Sequence, residues 1–418
     1  MPQLSIRNFN IDYDMVPNEI PKIKTVIYKG ENLASLIQTR IYSTIYGTKQ
    51  YQPFKEFIQI DPEFEKLGFE IFREINGVQQ IKPEMAIALA DFFFNQICIF
   101  YWSLIRNGSK NLAQIFLEKI CLLVDGWEKQ TKIHKGTLYY FLTFVYRELG
   151  NTDAAISSAF KAIEEDKRNL DPLFGVGTYK KSPAYKYVSL KDDKNNYLFD
   201  TICELRKFLN DYAIKFDKIE SFSLQDLDKK IFQSSNNELE QIGHFLMYNV
   251  ELISKYEKQM STLPHNDFYR MKNIRDIFNL CLITDKILQI KYETVFKQYG
   301  NTRKMYIKDG VVLLFEDKKW INSLSNSEKK DPRSVLNKIQ PEIPDKLVDL
   351  ITQFFTAPIK FTCCGKNLNY QMRFMLFASA LRNMGAHEIG KDDTYVEKYA
   401  LVIKWLFYSI FVALKALP

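Results

Sequence analysis

Apolar residues in this chain recur mainly at the three- and four-residue steps of an amphipathic helix. The pattern runs through residues 82–125 with one polar break at 107–109, which predicts two long helices joined at that break. Helical spacing also begins within residues 54–76, whereas residues 1–50 mix charged and apolar residues without a clear period. The first part of the chain is therefore predicted to be mainly helical.

A helical hairpin is the clearest local pattern. Large residues fill positions 139–149 and stop at Gly150, and the following segment carries Ala155, Ala159 and Ala162 at intervals of four and three. Small residues on one face of a helix let an antiparallel neighbour approach closely, and the aromatic residues of that neighbour then fill the space. The spacing predicts two packed helices with a turn at Gly150.

Residues 139–167 of this hairpin resemble one tetratricopeptide repeat, which has a large residue, Leu, Tyr and a Leu-Gly turn in its first helix and small positions in its second. Thr143 and Lys167 depart from the family pattern, which often has Gly or Ala at the first position and Pro at the second. Stacked repeats bury their apolar faces against each other, so at least three units are usually needed. The resemblance implies a repeat-like N-terminal domain, and an unrelated helical bundle is the alternative.

A loop-like stretch rich in Pro, Gly and charged residues at 171–196 is the predicted boundary between two domains, 1–180 and 181–418. Beyond this stretch, helical spacing returns in several segments, at 197–216, 239–256, 268–299, 346–355, 368–384 and 396–417.

An Asp-Gly pair at 309–310 separates two strand-like runs and predicts a small β-hairpin at about 304–316. The composition of 32 Phe and 24 Tyr against 14 Pro and 16 Gly favours aromatic-packed helices over a turn-rich β architecture. The predicted fold class is mainly α: a helical-repeat-like (tetratricopeptide-like) domain, followed by a helical bundle into which the β-hairpin is inserted.

Charge is distributed unevenly between the two predicted domains. Residues 1–180 contain 21 basic and 21 acidic residues, so the whole net charge of +7 lies in the second domain. Within it, residues 350–387 contain no acid, whereas Lys366, Arg373 and Arg382 all fall there. A polyanion can approach such a segment without repulsion from its sequence neighbours.

The six cysteines lie mostly in apolar runs without a CxxC pair, and no secretory signal pattern is present, which predicts a reduced, cytoplasmic chain. Cys363 and Cys364 have no second ligand pair nearby, so buried apolar positions are favoured there over a zinc site, and no metal is predicted. Residues 399–417 are the most membrane-like, but Lys404 and Lys415 leave too short an uncharged stretch to span a bilayer. A buried final helix, and no membrane, is predicted.

Candidate chemistry lies in Arg382, Asn383 and His387, near the end of a long apolar-periodic segment. A histidine can transfer protons at a phosphodiester while an arginine meets the charge that develops on phosphorus. On an ideal helix, Asn383 and His387 share a face, whereas Arg382 and His387 diverge by about 140°. The helix must therefore loosen at Gly385, or the arginine must use its length. The alternative is a helix end whose cations only neutralise the helix dipole.

This motif, followed by one more apolar helix in a basic helical domain, resembles the Arg-Asn-(three to five residues)-His signature of the HEPN family over about residues 235–418. The resemblance implies a metal-independent endoribonuclease without a cofactor. His387 would help deprotonate the ribose 2′-hydroxyl, Arg382 would stabilise the transition state, and Asn383 would orient the histidine or the phosphate. The products would carry a 2′,3′-cyclic phosphate and a 5′-hydroxyl.

HEPN nucleases generally build one cleft from two such motifs, and this chain has only one, so the resemblance implies a homodimer through the C-terminal domain. Lys366, Arg373 and Arg275 are predicted RNA contacts from their charge and position. The N-terminal domain would bind a protein or nucleotide regulator, as in a bacterial defence or toxin-type effector. Two alternatives stay open: a non-catalytic HEPN-like module that binds a nucleotide or a partner, and a helical-repeat scaffold.

Overall fold

The structure is a computed structural model that describes residues 2–50, 58–78, 81–189, 203–204, 207, 210, 224–234, 237–259, 267–298, 362–363, 366–367, 378, 381–382 and 397–415. It divides into two units, the N-terminal unit Met1–Val188 and the C-terminal unit Ser189–Pro418. Both units are mainly helical. The predicted β-hairpin at 304–316 lies outside the described residues, and the predicted domain limits stay a prediction.

The N-terminal unit begins with a four-stranded antiparallel sheet in the order β1-β2-β3-β4, formed by β1 (Gln3–Ile6), β2 (Phe9–Asp14), β3 (Lys22–Tyr28) and β4 (Glu31–Asn32). Phe9 and Ile11 on β2 pair with Tyr28 and Val26 on β3, and all four side chains are buried.

The mainly helical class is confirmed, but this sheet was not predicted, because residues 1–50 were assigned no clear period and no strand. The strands are short, and the tight turn between β1 and β2 places Arg7 at a φ of +45°. Hairpin turns that need positive φ normally use Gly, Asn or Asp. An arginine at this position gives no turn signal, but residues 9–14 alternate apolar and polar positions strictly, so the sequence did contain a strand signal at β2.

The other described elements of the N-terminal unit are α1 (Leu33–Gln50), α2 (Pro62–Gly77), α3 (Pro83–Arg106), α4 (Lys110–Glu128), α5 (Gly136–Glu148), α6 (Thr152–Phe174), a short 3-10 helix (Thr178–Lys181) and α7 (Pro183–Val188). The helix break predicted at 107–109 lies between α3 and α4 and is confirmed. Asp61 caps α2 by accepting a hydrogen bond from the Glu63 backbone N–H, and Pro62 occupies the first helical position.

The predicted hairpin is formed by α5 and α6. Ala155, Ala159 and Ala162 are fully buried, as expected for small residues against an antiparallel helix. However, α6 continues to Phe174, so the predicted loop does not begin at residue 171. Pro172 removes one N–H in the last turn without ending the helix, which stops where Gly175 adopts a φ of +100°.

Among the described residues, α3 is the one helix that is long and apolar enough to cross a membrane by length and composition. Its side chains Phe93, Phe94 and Tyr101 are buried in the N-terminal unit. Phe93 makes ring contacts with Phe72 on α2 and Trp127 on α4. This is the environment of a core helix.

Close packing between α2 and α4 gives a first prediction. A Cβ at buried Gly68 would overlap the indole ring of Trp127, whereas a Cβ at exposed Gly126 meets nothing within 4 Å. Gly68→Ala is therefore expected to lower the free energy of unfolding by about 1–3 kcal/mol. The matched Gly126→Ala is expected to raise it by about 0.5–1 kcal/mol, because alanine favours helix. Urea unfolding measures both, and equal stability of the two variants would contradict the contact.

The C-terminal unit contains α8 (Leu224–Ile231), α9 (Asn237–Gln259), α10 (Asp267–Gln298) and α11 (Tyr399–Lys415), and a two-stranded ladder of β5 (Thr362–Cys363) and β6 (Lys366–Asn367). The helices predicted at 239–256 and 268–299 are confirmed. The final helix is buried, as predicted: Val402, Leu406 and Phe407 of α11 have no exposed surface, and α11 packs on α10.

Candidate active site around Arg382

Among the predicted site residues, Arg382 and Arg275 have side chains that the structure describes. Lys366 lies in β6. Asn383, His387 and Arg373 lie outside the described residues. Arg382 and its neighbours therefore form the described part of the candidate site.

A buried carboxylate holds Arg382. Its Nη1 donates a hydrogen bond of 2.8 Å to Oδ2 of Asp285 on α10. The Asp285 side chain is 6% exposed and that of Arg382 is 35% exposed. The preceding residue, Leu381, is buried and fixes the backbone next to the arginine. Charge-assisted hydrogen bonds of this kind are short and directional, so Asp285 restricts where the guanidinium can lie.

The surroundings of this ion pair are apolar. Burial raises the pKa of Asp285 to about 6, because the charge and hydrogen bond of Arg382 only partly offset the loss of water. One helical turn earlier on α10, Cys281 is fully buried, and its pKa is raised well above the ordinary value by the same loss of water. Electrostatic interactions are stronger in such surroundings than in bulk water. The site therefore presents a positioned arginine beside a low-dielectric interior.

Arg275 belongs to a different cluster. Its Nε and Nη2 donate to Oδ1 of Asp276 at 3.1 and 2.9 Å, and the hydroxyl of Tyr399 donates to Oδ2 of Asp276 at 3.2 Å. Asp276 and Asp285 are nine residues apart, which is about 14 Å along the axis of α10. The structure therefore does not bring Arg275 and Arg382 together, and Arg275 helps to join α10 to the start of α11.

Sequence reasoning missed Asp285, which precedes Arg382 by 97 residues. One signal was present: Asp285 stands between the apolar residues Ile283 and Ile287, both of which are buried. An acidic residue within an apolar helical run predicts a buried carboxylate, and such a carboxylate requires a cationic partner. The sequence thus predicts that Asp285 has a cationic partner, but it does not identify which arginine or lysine this is.

The N-terminal unit contains a second ionic cluster that the sequence did not reveal. Nε2 of His134 lies 3.0 Å from Oδ1 of Asp166, and Nδ1 lies 3.4 Å from Oδ1 of Asp91. The His134 side chain is 4% exposed. Burial disfavours the charged imidazole, but hydrogen bonding and the charges of Asp166 and Asp91 outweigh burial and raise the pKa of His134 to about 10. His134 is therefore a cation at neutral pH and is unsuited to shuttle protons there.

Neighbouring pairs extend this cluster across α4, α5 and α6. Nζ of Lys135 lies 2.7 Å from both Asp125 and Glu128, and Arg168 donates to Glu165 at 2.6 Å. A Cβ at Gly136 would overlap Oδ1 of Asp166, so the close approach at the start of α5 requires glycine. The cluster joins the helices of the N-terminal unit, and we assign it a structural role.

Within the part of the chain that the structure describes, no group of three or more His, Cys, Asp or Glu side chains is arranged to hold a metal ion. No known protein family matches the chain, and no curated protein or solved structure matches it.

Proposed function

We propose that the protein is a metal-independent endoribonuclease of the HEPN type, in which Arg382 stabilises negative charge on a scissile phosphate. The observation that carries the proposal is the contact of Arg382 with buried Asp285 beside an apolar interior. Donors held in place before the reaction stabilise a transition state more effectively than mobile ones, because little reorganisation is needed. A guanidinium has five N–H donors, so one arginine can in principle bond to a carboxylate and to a phosphate.

In the proposed reaction, His387 accepts the proton of the ribose 2′-hydroxyl as the 2′-oxygen attacks the adjacent phosphorus. The bond from phosphorus to the 5′-oxygen then breaks, and a protonated group supplies the proton of the new 5′-hydroxyl. The other product ends in a 2′,3′-cyclic phosphate. Arg382 binds the phosphate oxygens on which charge accumulates, and Asn383 orients the histidine or the phosphate.

The proposal includes a homodimer, because HEPN nucleases generally combine two copies of the motif and this chain contains one. RNA is the proposed substrate, with Lys366 and Arg373 as further contacts from their place in the acid-free segment 350–387. A role as a bacterial defence or toxin-type effector, regulated through the N-terminal unit, belongs to the same proposal and rests on the family resemblance alone.

Asp285 also supplies the observation that favours an alternative. A carboxylate 2.8 Å from the guanidinium neutralises part of the charge that a phosphate would meet. In a non-catalytic HEPN-like module, this pair would fix the fold of the C-terminal unit, and the module would hold a nucleotide or a protein partner without cleaving RNA.

Cleavage of a mixed cellular RNA pool with a metal chelator present separates the two functions. The wild type is expected to cut RNA and leave 5′-hydroxyl ends, and His387→Ala is expected to lower the rate by a factor of about 100 or more. His265→Ala, which changes another histidine of the C-terminal unit, serves as the matched control and should cut normally. Equal cleavage by His387→Ala and wild type would reject His387 as the catalytic base. An inactive wild-type dimer would favour the binding module.

A further inference from the structure

A cavity of about 340 Å³ lies in the N-terminal unit among α2, α3, α6 and the segment that precedes α5. Apolar side chains form most of its wall, among them Phe72, Ile75, Ile87 and Leu173. Its volume falls within the range of roughly 300–1,000 Å³ that is common for small-molecule pockets. The cavity is therefore large enough for a small organic compound.

The charged side chains that line this cavity among the described residues are all basic: Lys132, His134 and Arg168. Lys132 is exposed, and the Arg168 side chain is 56% exposed, which places both cations within reach of solvent. Both ion pairs of Arg168, to Glu165 and Glu128, use Nη2, so Nε and Nη1 are not used in them. The carboxylates that pair with Arg168 and His134 are not among the lining residues.

The lining of this cavity differs from that of an empty packing defect. Empty cavities in proteins are lined by apolar groups, and polar linings are typical of cavities that hold water or a ligand. Here the basic residues Lys132, His134 and Arg168 interrupt an otherwise apolar wall; Asn76 and Asn169 also line it, but their amide nitrogens donate to backbone oxygens of the protein. Apolar walls with a few convergent polar groups are the general pattern of a small-molecule site.

We propose that this cavity, the His134 pocket, binds a small organic anion that has an apolar body and one carboxylate or phosphate group. The apolar body lies against the wall of α2 and α3, and the anionic group faces Lys132 and Arg168 at the solvent side. This proposal does not depend on the ribonuclease proposal, because the pocket and its residues belong to the N-terminal unit alone.

Three probes of similar size test the chemistry: phenylacetate, phenyl phosphate and neutral benzyl alcohol. Titration of the full-length protein, followed by NMR, is expected to show that at least one anion binds more than about tenfold tighter than the alcohol, since hydrogen bonds to charged groups exceed neutral ones by that order. Whichever of phenylacetate and phenyl phosphate binds more tightly shows whether the pocket prefers a carboxylate or a phosphate. If neither anion binds better than benzyl alcohol, the proposal is overturned.

Two variants, each with a matched control, test whether the probes bind in this cavity. Ala86 is half-buried and lines the pocket, so Ala86→Phe is expected to block it, whereas Ala154→Phe, at a half-buried alanine that is not a lining residue, should bind normally. Lys132→Gln is expected to weaken anion binding by about tenfold. Lys129→Gln, at an exposed lysine that is not a lining residue, should not. Unchanged affinity in Ala86→Phe would reject this site even if the probes bind.

Discussion

His134→Ala is expected to lower the free energy of unfolding by about 3–5 kcal/mol, which is the usual cost of removing one partner of a buried ion pair. The substitution leaves the Asp91 and Asp166 carboxylates facing each other without the cation that lies 3.4 and 3.0 Å from them. Asp166 is 10% exposed, so water does not replace the lost partner. The missing imidazole also leaves a cavity, which adds to the loss.

The raised pKa of His134 determines how the free energy of unfolding changes with pH. Histidine in an unfolded chain titrates near pH 6.5, and the folded-state pKa of His134 is about 10. The folded state therefore binds the proton more tightly, so this contribution to stability is complete below about pH 6.5 and is lost as the pH rises through about 10. The wild type should lose more stability than His134→Ala over this interval, because the variant lacks the titrating group.

Urea unfolding of both proteins at the two ends of this pH interval checks the prediction. Adding Asp166→Asn to His134→Ala provides the control, because it removes a carboxylate that the first change leaves without its cation. The double variant is expected to recover part of the lost stability. A loss below about 1 kcal/mol in His134→Ala, within the range of an ordinary exposed ion pair, would show that the His134 pairs contribute little.

The sequence predicted the long helices of this protein well, because a helix repeats its apolar pattern over many residues. The break between α3 and α4, the close α5–α6 hairpin and the buried α11 all follow from such spacing. The N-terminal sheet was missed although residues 9–14 alternate apolar and polar positions as a half-buried strand does, because such a signal is short beside the long helical patterns that follow. The turn residues gave a mixed signal, because Gly30 between β3 and β4 adopts a φ of +86°, whereas Arg7 occupies a position that usually holds Gly or Asn.

Ion pairs between distant segments were the other failure, because spacing along one helix carries no information about them. His134 lies 32 residues before Asp166, and Arg382 lies 97 residues after Asp285. The sequence pointed to Arg382 through its neighbours in the motif, and it contained no second such motif that would have pointed to His134. The structure gives each of them a buried carboxylate partner. Whether Arg382 also meets His387 at one phosphate stays a prediction.

RNA cleavage is expected to fall by a factor of about 100 to 1,000 in Arg382→Ala, the usual loss when one transition-state donor is removed. In the proposed reaction, we expect Asp285 to act through this arginine as a positioning residue. Asp285→Asn keeps an oxygen that can accept from Nη1 of Arg382 and should retain most activity. Asp285→Leu fills the buried site without an acceptor and should lower kcat by about tenfold or more, since one charge-assisted hydrogen bond is lost.

A double-variant comparison distinguishes positioning from general damage to the fold. If Asp285 acts only through Arg382, adding Asp285→Leu to Arg382→Ala should lower cleavage little further, because the two residues are in direct contact and their effects are not additive. Asp276→Asn is the matched control, since Asp276 is another buried carboxylate of α10 that accepts from Arg275 and Tyr399 instead; its cleavage is compared at saturating RNA, because Arg275 is a predicted RNA contact. Additive losses in the double variant, or an equal loss of cleavage in Asp276→Asn, would show that Asp285 supports the helical core and does not orient the arginine.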